Sequence, residues 1–143
     1  MDAVDEVDQL IERFHQVQGE FVKGNPEPVK QLWSHAEDVT LNNPLSPPAL
    51  GWDEVAKRMA DVASGRREGE FSSEIVEKYV TPELACVVEM EHGKAKFGVS
   101  EDETSYALRA TILFRREEGT WKVAHRHADP LSTVQSVASY EVE

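Results

Sequence analysis

The stretch YALRATILFRREEGTWKVAHRHAD, from Tyr106 to Asp129, decides how the rest of the chain is interpreted. It contains two β-patterned runs, Tyr106–Arg116 and Thr120–Asp129, joined by Glu117-Glu118-Gly119, and a short loop with glycine is typical of a hairpin. Successive side chains of a strand point to opposite faces, so the apolar residues of the first run share one face. These residues are Tyr106, Leu108, Ala110, Ile112 and Phe114.

The second run of this hairpin carries two histidines. Alternation places Trp121, Val123, His125 and His127 on one face, and Lys122, Ala124 and Arg126 on the other. The charges of Lys122 and Arg126 indicate that their face is in contact with water, because an unpaired buried charge is costly. The pattern therefore predicts that His125 and His127 point to the interior.

Composition limits the classes of protein to consider. With 143 residues, 40% hydrophobic and 29% charged, the chain has the size and balance of one soluble globular domain. Its formal net charge of −12 disfavours nucleic acid and anionic membrane surfaces as partners. The chain has no membrane-spanning apolar run, and its acidic N-terminus is unlike a secretory signal, so we expect a cytoplasmic location.

Helical patterns dominate the first half of the sequence. Apolar residues recur every three or four positions from Val4 to Phe21, which predicts an amphipathic helix over about residues 3–23, ended by Gly24-Asn25-Pro26. A short second helix carries Val29, Leu32 and Trp33. A third begins at Gly51-Trp52-Asp53-Glu54, with acids near the positive end of its dipole, and stops at Ser64-Gly65.

Strand patterns dominate the second half. Besides the hairpin, we expect strands at residues 39–42, 71–80 and 84–91, with a turn or bulge at His92-Gly93 before residues 94–97 resume pairing. Helices that precede a run of antiparallel strands indicate an α+β fold. A curved sheet wrapped around the first helix would leave a cavity between them. We expect one domain over residues 1–130 and a polar tail over residues 131–143.

Several stretches, in this order, resemble the SnoaL-like and ketosteroid-isomerase-like branch of the nuclear-transport-factor-two-like superfamily. They are Val22-Lys23-Gly24-Asn25-Pro26, residues 36–44 (AEDVTLNNP), Gly51-Trp52-Asp53-Glu54-Val55, and residues 113–127 (LFRREEGTWKVAHRH). The resemblance implies a cone-shaped roll of three N-terminal helices against a curved antiparallel sheet. It also implies a pocket at the open end and homodimers packed through the sheet.

The same resemblance argues against ketosteroid isomerase chemistry. Where those isomerases have a basic aspartate before a proline, this chain has Asn43, and an amide cannot take up that proton. The late-strand aspartate of their oxyanion hole corresponds to about Ala110. The tyrosine of their first helix is replaced by Phe14 or Val17.

His125 and His127 are the best candidates for acid–base catalysis, with Asp129 orienting one of them. The alternative is that both are hydrogen-bonded wall residues of an apolar cavity. Alternate residues of one strand face the same way, yet no further ligand completes a metal site, so no metal is expected. No cofactor is expected either.

A predicted ligand pocket contains Asn43, Trp33, Trp52, Tyr106 and Phe14. The alternative is that the tryptophans are core residues, as such residues more often are, and that Tyr106 is a hydrogen-bonded core tyrosine. Glu89 has two possible orientations. It is a pocket acid with a raised pKa if Ala85 and Val87 face inward, and solvated if Cys86, Val88 and Met90 do; the second buries more apolar surface and is favoured.

Two functions from different classes follow. One is a cofactor-independent cyclase, isomerase or dehydratase that acts on a small apolar carbonyl compound, with His127 as acid–base and Asn43 as anchor. The other is a non-catalytic ligand-binding or assembly domain of the same fold. In both, we expect a small apolar molecule and a second copy of the chain as partners.

Overall fold

The computed structural model of the protein describes residues 2–44 and 46–131, and its three helices precede most of its sheet. The helices are α1 (Ala3–Phe21), α2 (Glu27–Leu32) and α3 (Trp52–Ser64). The strands are β1 (Thr40–Asn42), β2 (Ala49–Leu50), β3 (Arg66–Val80), β4 (Leu84–Phe97), β5 (Glu103–Glu117) and β6 (Thr120–Pro130). The predicted α+β class is confirmed.

The strands form one six-stranded sheet with the order β2-β1-β6-β5-β4-β3. The four long strands pair antiparallel with their neighbours in the chain, whereas the short β1 lies parallel to β6. The helices and the inner face of this curved sheet enclose a single apolar core. Among the described residues, the helices cover one face of the sheet, as is usual for an α+β fold.

Helix α1 supplies much of that core, as its periodicity predicts. Its N-terminus is capped by the Asp2 carboxylate, which accepts a hydrogen bond from the Asp5 backbone N–H at 2.9 Å. The helix ends before Gly24, whose φ of 103° suits glycine. The buried stripe consists of Val7, Leu10, Ile11, Phe14, Val17, Gln18 and Phe21.

The β5–β6 hairpin forms, but a β-bulge changes which residues of β6 face inward. On β5, Ala110, Ile112 and Phe114 are buried on the inner face, as predicted. On β6, His125 pairs with Leu113 but Val123 pairs with Phe114, so Ala124 is an extra residue. An extra residue reverses the alternation of the strand beyond it. Consequently Trp121 and Val123 are buried as predicted, but the next inward residues are Arg126 and Ala128.

Strand β4 also differs from the prediction. It runs without a turn through His92-Gly93 to Phe97. Ala85, Val87, Glu89 and Glu91 are buried, whereas Cys86, Val88 and Met90 are half-buried on the outer face. The favoured solvated orientation of Glu89 was therefore wrong: Glu89 faces inward and is buried, although it is not among the residues that line the cavity described below.

Two further sequence predictions concern the ends of the chain and membranes. The tail predicted at 131–143 lies outside the described residues apart from Leu131. Among residues 2–44 and 46–131, none of the helices has the length and apolar character that a bilayer span requires.

Candidate functional site

A cavity of about 460 Å³ opens between the helices and the inner face of the sheet. Its apolar wall includes Phe14, Trp33, Leu41, Met59, Phe71 and Leu108. Its polar groups are few: Gln18, Asn43, Ser46, Arg66, Glu91, Thr104, Tyr106 and Arg126. A largely apolar cavity with a small number of polar groups is the usual form of a small-molecule site.

A buried ion pair lies in the wall of this cavity. Arg126 on β6 donates from both terminal nitrogens to the two carboxylate oxygens of Glu91 on β4, at 2.6 and 2.7 Å. Both residues are buried, with 7% and 1% of their surface exposed respectively. The guanidinium also lies 5.9 Å from the ring centre of Phe14. Burial alone would raise the pKa of Glu91, but the charge and hydrogen bonds of Arg126 outweigh it and lower the pKa.

A second buried carboxyl, Glu89, lies two residues before Glu91 on the same face of β4. It is hydrogen-bonded to His15 of α1, with 2.7 Å between Nε2 and Oε1, and the Ser73 hydroxyl lies 3.1 Å from the same nitrogen. Burial raises the pKa of Glu89 most strongly, the bond to His15 lowers it, and the neighbouring Glu91 raises it, so that the pKa is about 7. The Oε2 atom of Glu89 is buried with no hydrogen-bond partner among the described residues.

A third polar group joins Arg66, the first residue of β3, to Tyr106 of β5. Arg66 donates from Nη1 to the Tyr106 hydroxyl oxygen at 2.6 Å. Its guanidinium lies between 5.1 and 5.9 Å from the ring centres of Tyr106, Phe97 and Phe21. Within the described part of the chain no carboxylate pairs with it, and its Nε is buried without a hydrogen-bond partner. Arg66 is therefore a cation surrounded by aromatic rings at the cavity wall.

The three predicted catalytic residues do not line the cavity. His125 and His127 lie on the outer face because the bulge at Ala124 reverses the alternation, so their predicted inward orientation was wrong. His125 is hydrogen-bonded to the Thr40 hydroxyl at 2.7 Å, and both burial and the adjacent His127 lower its pKa. His127 is exposed, and Asp129 accepts hydrogen bonds from Arg109 instead of orienting a histidine.

Four of the five predicted pocket residues lie on the cavity wall: Phe14, Trp33, Asn43 and Tyr106. Their contact with a ligand stays a prediction. Trp52 is absent from the wall, because it begins α3 and stacks on His35 with 3.9 Å between ring centres. The indole is partly buried and packs against the core cluster, but it does not line the cavity.

The interpretation of the sequence missed Arg126, Glu91 and Arg66 as cavity residues. The charge of Arg126 predicts a place on the wet face, but a buried charge is acceptable when it is paired, as it is here with Glu91. The usable signal was the pair of glutamates on one face of β4 together with an arginine on a strand that shares the sheet. Their pairing, however, spans 35 residues of sequence and depends on the bulge.

The described residues do not form a metal site. Within the ranges 2–44 and 46–131, no three His, Cys, Asp or Glu side chains are grouped closely enough to hold a metal ion. The Glu89–His15 pair thus has no third ligand of this kind in that part of the chain.

The chain is similar in fold to several solved structures. A provisionally assigned dehydratase of the NTF2-like family from Streptomyces avermitilis is 22% identical with a TM-score of 0.75, covering 92% of this chain and 97% of its own. A ketosteroid isomerase-like protein from Erwinia carotovora atroseptica is 20% identical with a TM-score of 0.73, covering 88% and 94%. An NTF2-like superfamily protein from Salmonella enterica is 15% identical with a TM-score of 0.77, covering 95% and 96%.

These similarities show a shared fold and no particular activity. No curated protein matches the chain significantly. The model of the SnoaL-like domain matches residues 7–131, which run from the second turn of α1 to just past the end of β6. The match includes every element that builds the cavity, and the chain therefore belongs to the SnoaL-like domain family.

Proposed function

We propose that the protein binds a small, largely apolar carbonyl compound in the cavity and acts on it by proton transfer, as cyclases, isomerases and dehydratases do. The observation that carries the proposal is the Glu91–Arg126 pair in an apolar cavity of about 460 Å³. This volume lies within the range of small-molecule sites. The similarity to the Streptomyces avermitilis and Erwinia proteins supports the same reaction types.

The roles of the cavity residues follow from their charge. Arg126 keeps Glu91 ionised, so this carboxylate can accept a proton from carbon next to a ligand carbonyl. The guanidinium of Arg126 has further N–H donors that can stabilise the developing enolate. Glu89, with a pKa of about 7 and a bond to His15, lies behind Glu91 as a group that exchanges protons near neutral pH. This chemistry needs no cofactor.

We expect the protein to accelerate deuterium exchange at the carbons next to the carbonyl of 4-phenylcyclohexanone in D₂O, followed by NMR. Glu91→Gln keeps the shape of the side chain but removes the base, so the acceleration should fall by about 100-fold or more. His127→Ala is the matched control: its side chain lies on the outer face, so the exchange rate should not change. Circular dichroism of each variant checks that it is folded.

A second candidate function is ligand binding without chemistry. It is favoured by Arg126, which occupies both oxygens of Glu91 and thereby opposes proton uptake. In that case 4-phenylcyclohexanone would raise the melting temperature without faster exchange in the wild-type protein. Equal exchange rates in wild type and Glu91→Gln would contradict the role proposed for Glu91.

A homodimer packed through the outer face of the sheet is part of the proposal. This face exposes the apolar side chains of Val76, Val88 and Met90 beside Thr111, and a two-fold contact through one face would cover it in both copies. We expect wild type to sediment as a dimer at micromolar concentration and Met90→Glu as a monomer. Val99→Glu, at a position 99% exposed outside this face, should stay dimeric. A monomeric wild type would refute the proposal.

A further inference from the structure

The net charge of the cavity wall differs in sign from the net charge of the molecule. The whole chain carries a formal net charge of −12. Among the described residues of the wall, by contrast, the charged ones are Glu91, Arg126 and Arg66, and the first two neutralise each other. Within this described wall, Arg66 is therefore one uncompensated positive charge. A neutral ligand does not require this charge, and an anionic ligand group would be attracted by it.

Several hydrogen-bond donors at Arg66 and Tyr106 have no acceptor among the described residues. A guanidinium has five N–H donors, and among the described residues Arg66 uses one of them, toward the Tyr106 oxygen. Because that oxygen accepts, the Tyr106 hydroxyl hydrogen is directed elsewhere, and no described residue accepts it. The buried Nε–H likewise has no partner in the described part of the chain. An acceptor-only group with two oxygens complements this set, and the planar guanidinium matches a carboxylate.

The position of Tyr106 is itself defined by its neighbours. Its ring packs directly over Gly93, where even a methyl group would lie 2.3 Å from the ring carbon bearing the hydroxyl. Phe97 contacts the same ring edge-on, with centres 6.4 Å apart. Arg66 is thus held in a frame of rings at one part of the wall, whereas the guanidinium of Arg126 is already paired with Glu91. Among the two arginines of the described wall, Arg66 is therefore the one that has no carboxylate partner to displace.

From these observations we infer that Arg66 and Tyr106 bind the carboxylate of a small apolar carboxylic acid whose hydrocarbon part fills the rest of the cavity. This inference deepens the proposed function and rests on its first part, that the cavity binds a small molecule. It assigns Arg66 as the residue that selects acids over neutral analogues. The inference does not depend on the proposed proton transfer at Glu91.

The test compares acids with their amides, which have almost the same shape and no charge. The probes are 1-naphthylacetate with 1-naphthylacetamide, octanoate with octanamide, and cinnamate with cinnamamide, titrated by calorimetry. We expect wild type to bind at least one acid about tenfold more tightly than its amide. Arg66→Gln should make the two affinities about equal, and Arg66→Lys should keep part of the preference because it keeps the charge.

Arg67→Gln is the control, because Arg67 is adjacent in sequence but pairs with Glu101 and with the carbonyls of Gly98 and Ser100 away from the cavity. Its preference for the acid should equal that of wild type. If amides bind as tightly as acids, or if Arg66→Gln keeps the preference, the inference is wrong while the binding cavity stands. If no probe of any pair binds, both the inference and the proposed binding function fail.

Discussion

Replacing Arg126 by leucine is expected to lower the free energy of unfolding by about 3 to 5 kcal/mol. The change leaves the Glu91 carboxylate buried without the two hydrogen bonds that Arg126 supplies. A buried charge without a partner loses its hydration and gains nothing in return. Urea denaturation with linear extrapolation measures the effect, and an unchanged dependence on urea would show that the two-state comparison is valid.

Two further variants separate the ion pair from the loss of an arginine. Arg116→Leu removes an arginine whose contact with Glu6 is 3.7 Å long and partly exposed, and it should change stability by less than about 1 kcal/mol. The double variant Glu91→Met/Arg126→Met removes both charges and should be more stable than Arg126→Leu alone. A double variant as unstable as the single one would contradict the explanation by an unpaired charge.

Replacing Glu89 by glutamine is expected to change the dependence of stability on pH. The pKa of Glu89 is raised from 4.5 to about 7 in the folded protein, so the folded state holds a proton that the unfolded state has lost between these values. The contribution of this group is therefore fully present below pH 4.5 and is lost as pH rises through about 7. Glutamine stays neutral throughout and should not show this loss.

The expected result is a difference that grows with pH. The free energy of unfolding of Glu89→Gln minus that of wild type should increase by about 2 to 3 kcal/mol between about pH 5 and about pH 8. The variant thus becomes more stable relative to wild type as pH rises. Urea denaturation at several pH values measures it, with Glu83→Gln as the control, because Glu83 is exposed to solvent. A constant difference over this range would mean that Glu89 titrates in the folded state much as it does in the unfolded one.

The sequence was sufficient for the fold because the fold depends on repeated local signals. The apolar stripe of α1, the glycine after it and the hairpin loop at Gly119 each agree with the structure. The inward face of β5 was also predictable, since Ala110, Ile112 and Phe114 alternate without interruption. Such patterns can be recognised without knowing which distant residues come together.

The chemistry of the cavity was not predictable in the same way. Maximising buried apolar area favoured Val88 and Met90 over Glu89 and Glu91 as the inner residues of β4. In the structure, the burial of Glu91 is compensated by Arg126, 35 residues away in sequence, and the burial of Glu89 by His15, 74 residues away. The cost of burying a carboxylate depends on such partners, and no local pattern contains them.

The extra residue at Ala124 has a consequence for how relatives are compared. In His125-Arg126-His127, one step of register decides whether two imidazoles or one guanidinium face the cavity. A relative that has the same three letters but lacks the insertion would present the opposite chemistry to its ligand. Alignment by residue identity alone would match these positions and hide the exchange. In this chain, the geometry of the last strand therefore decides which side chains line the cavity.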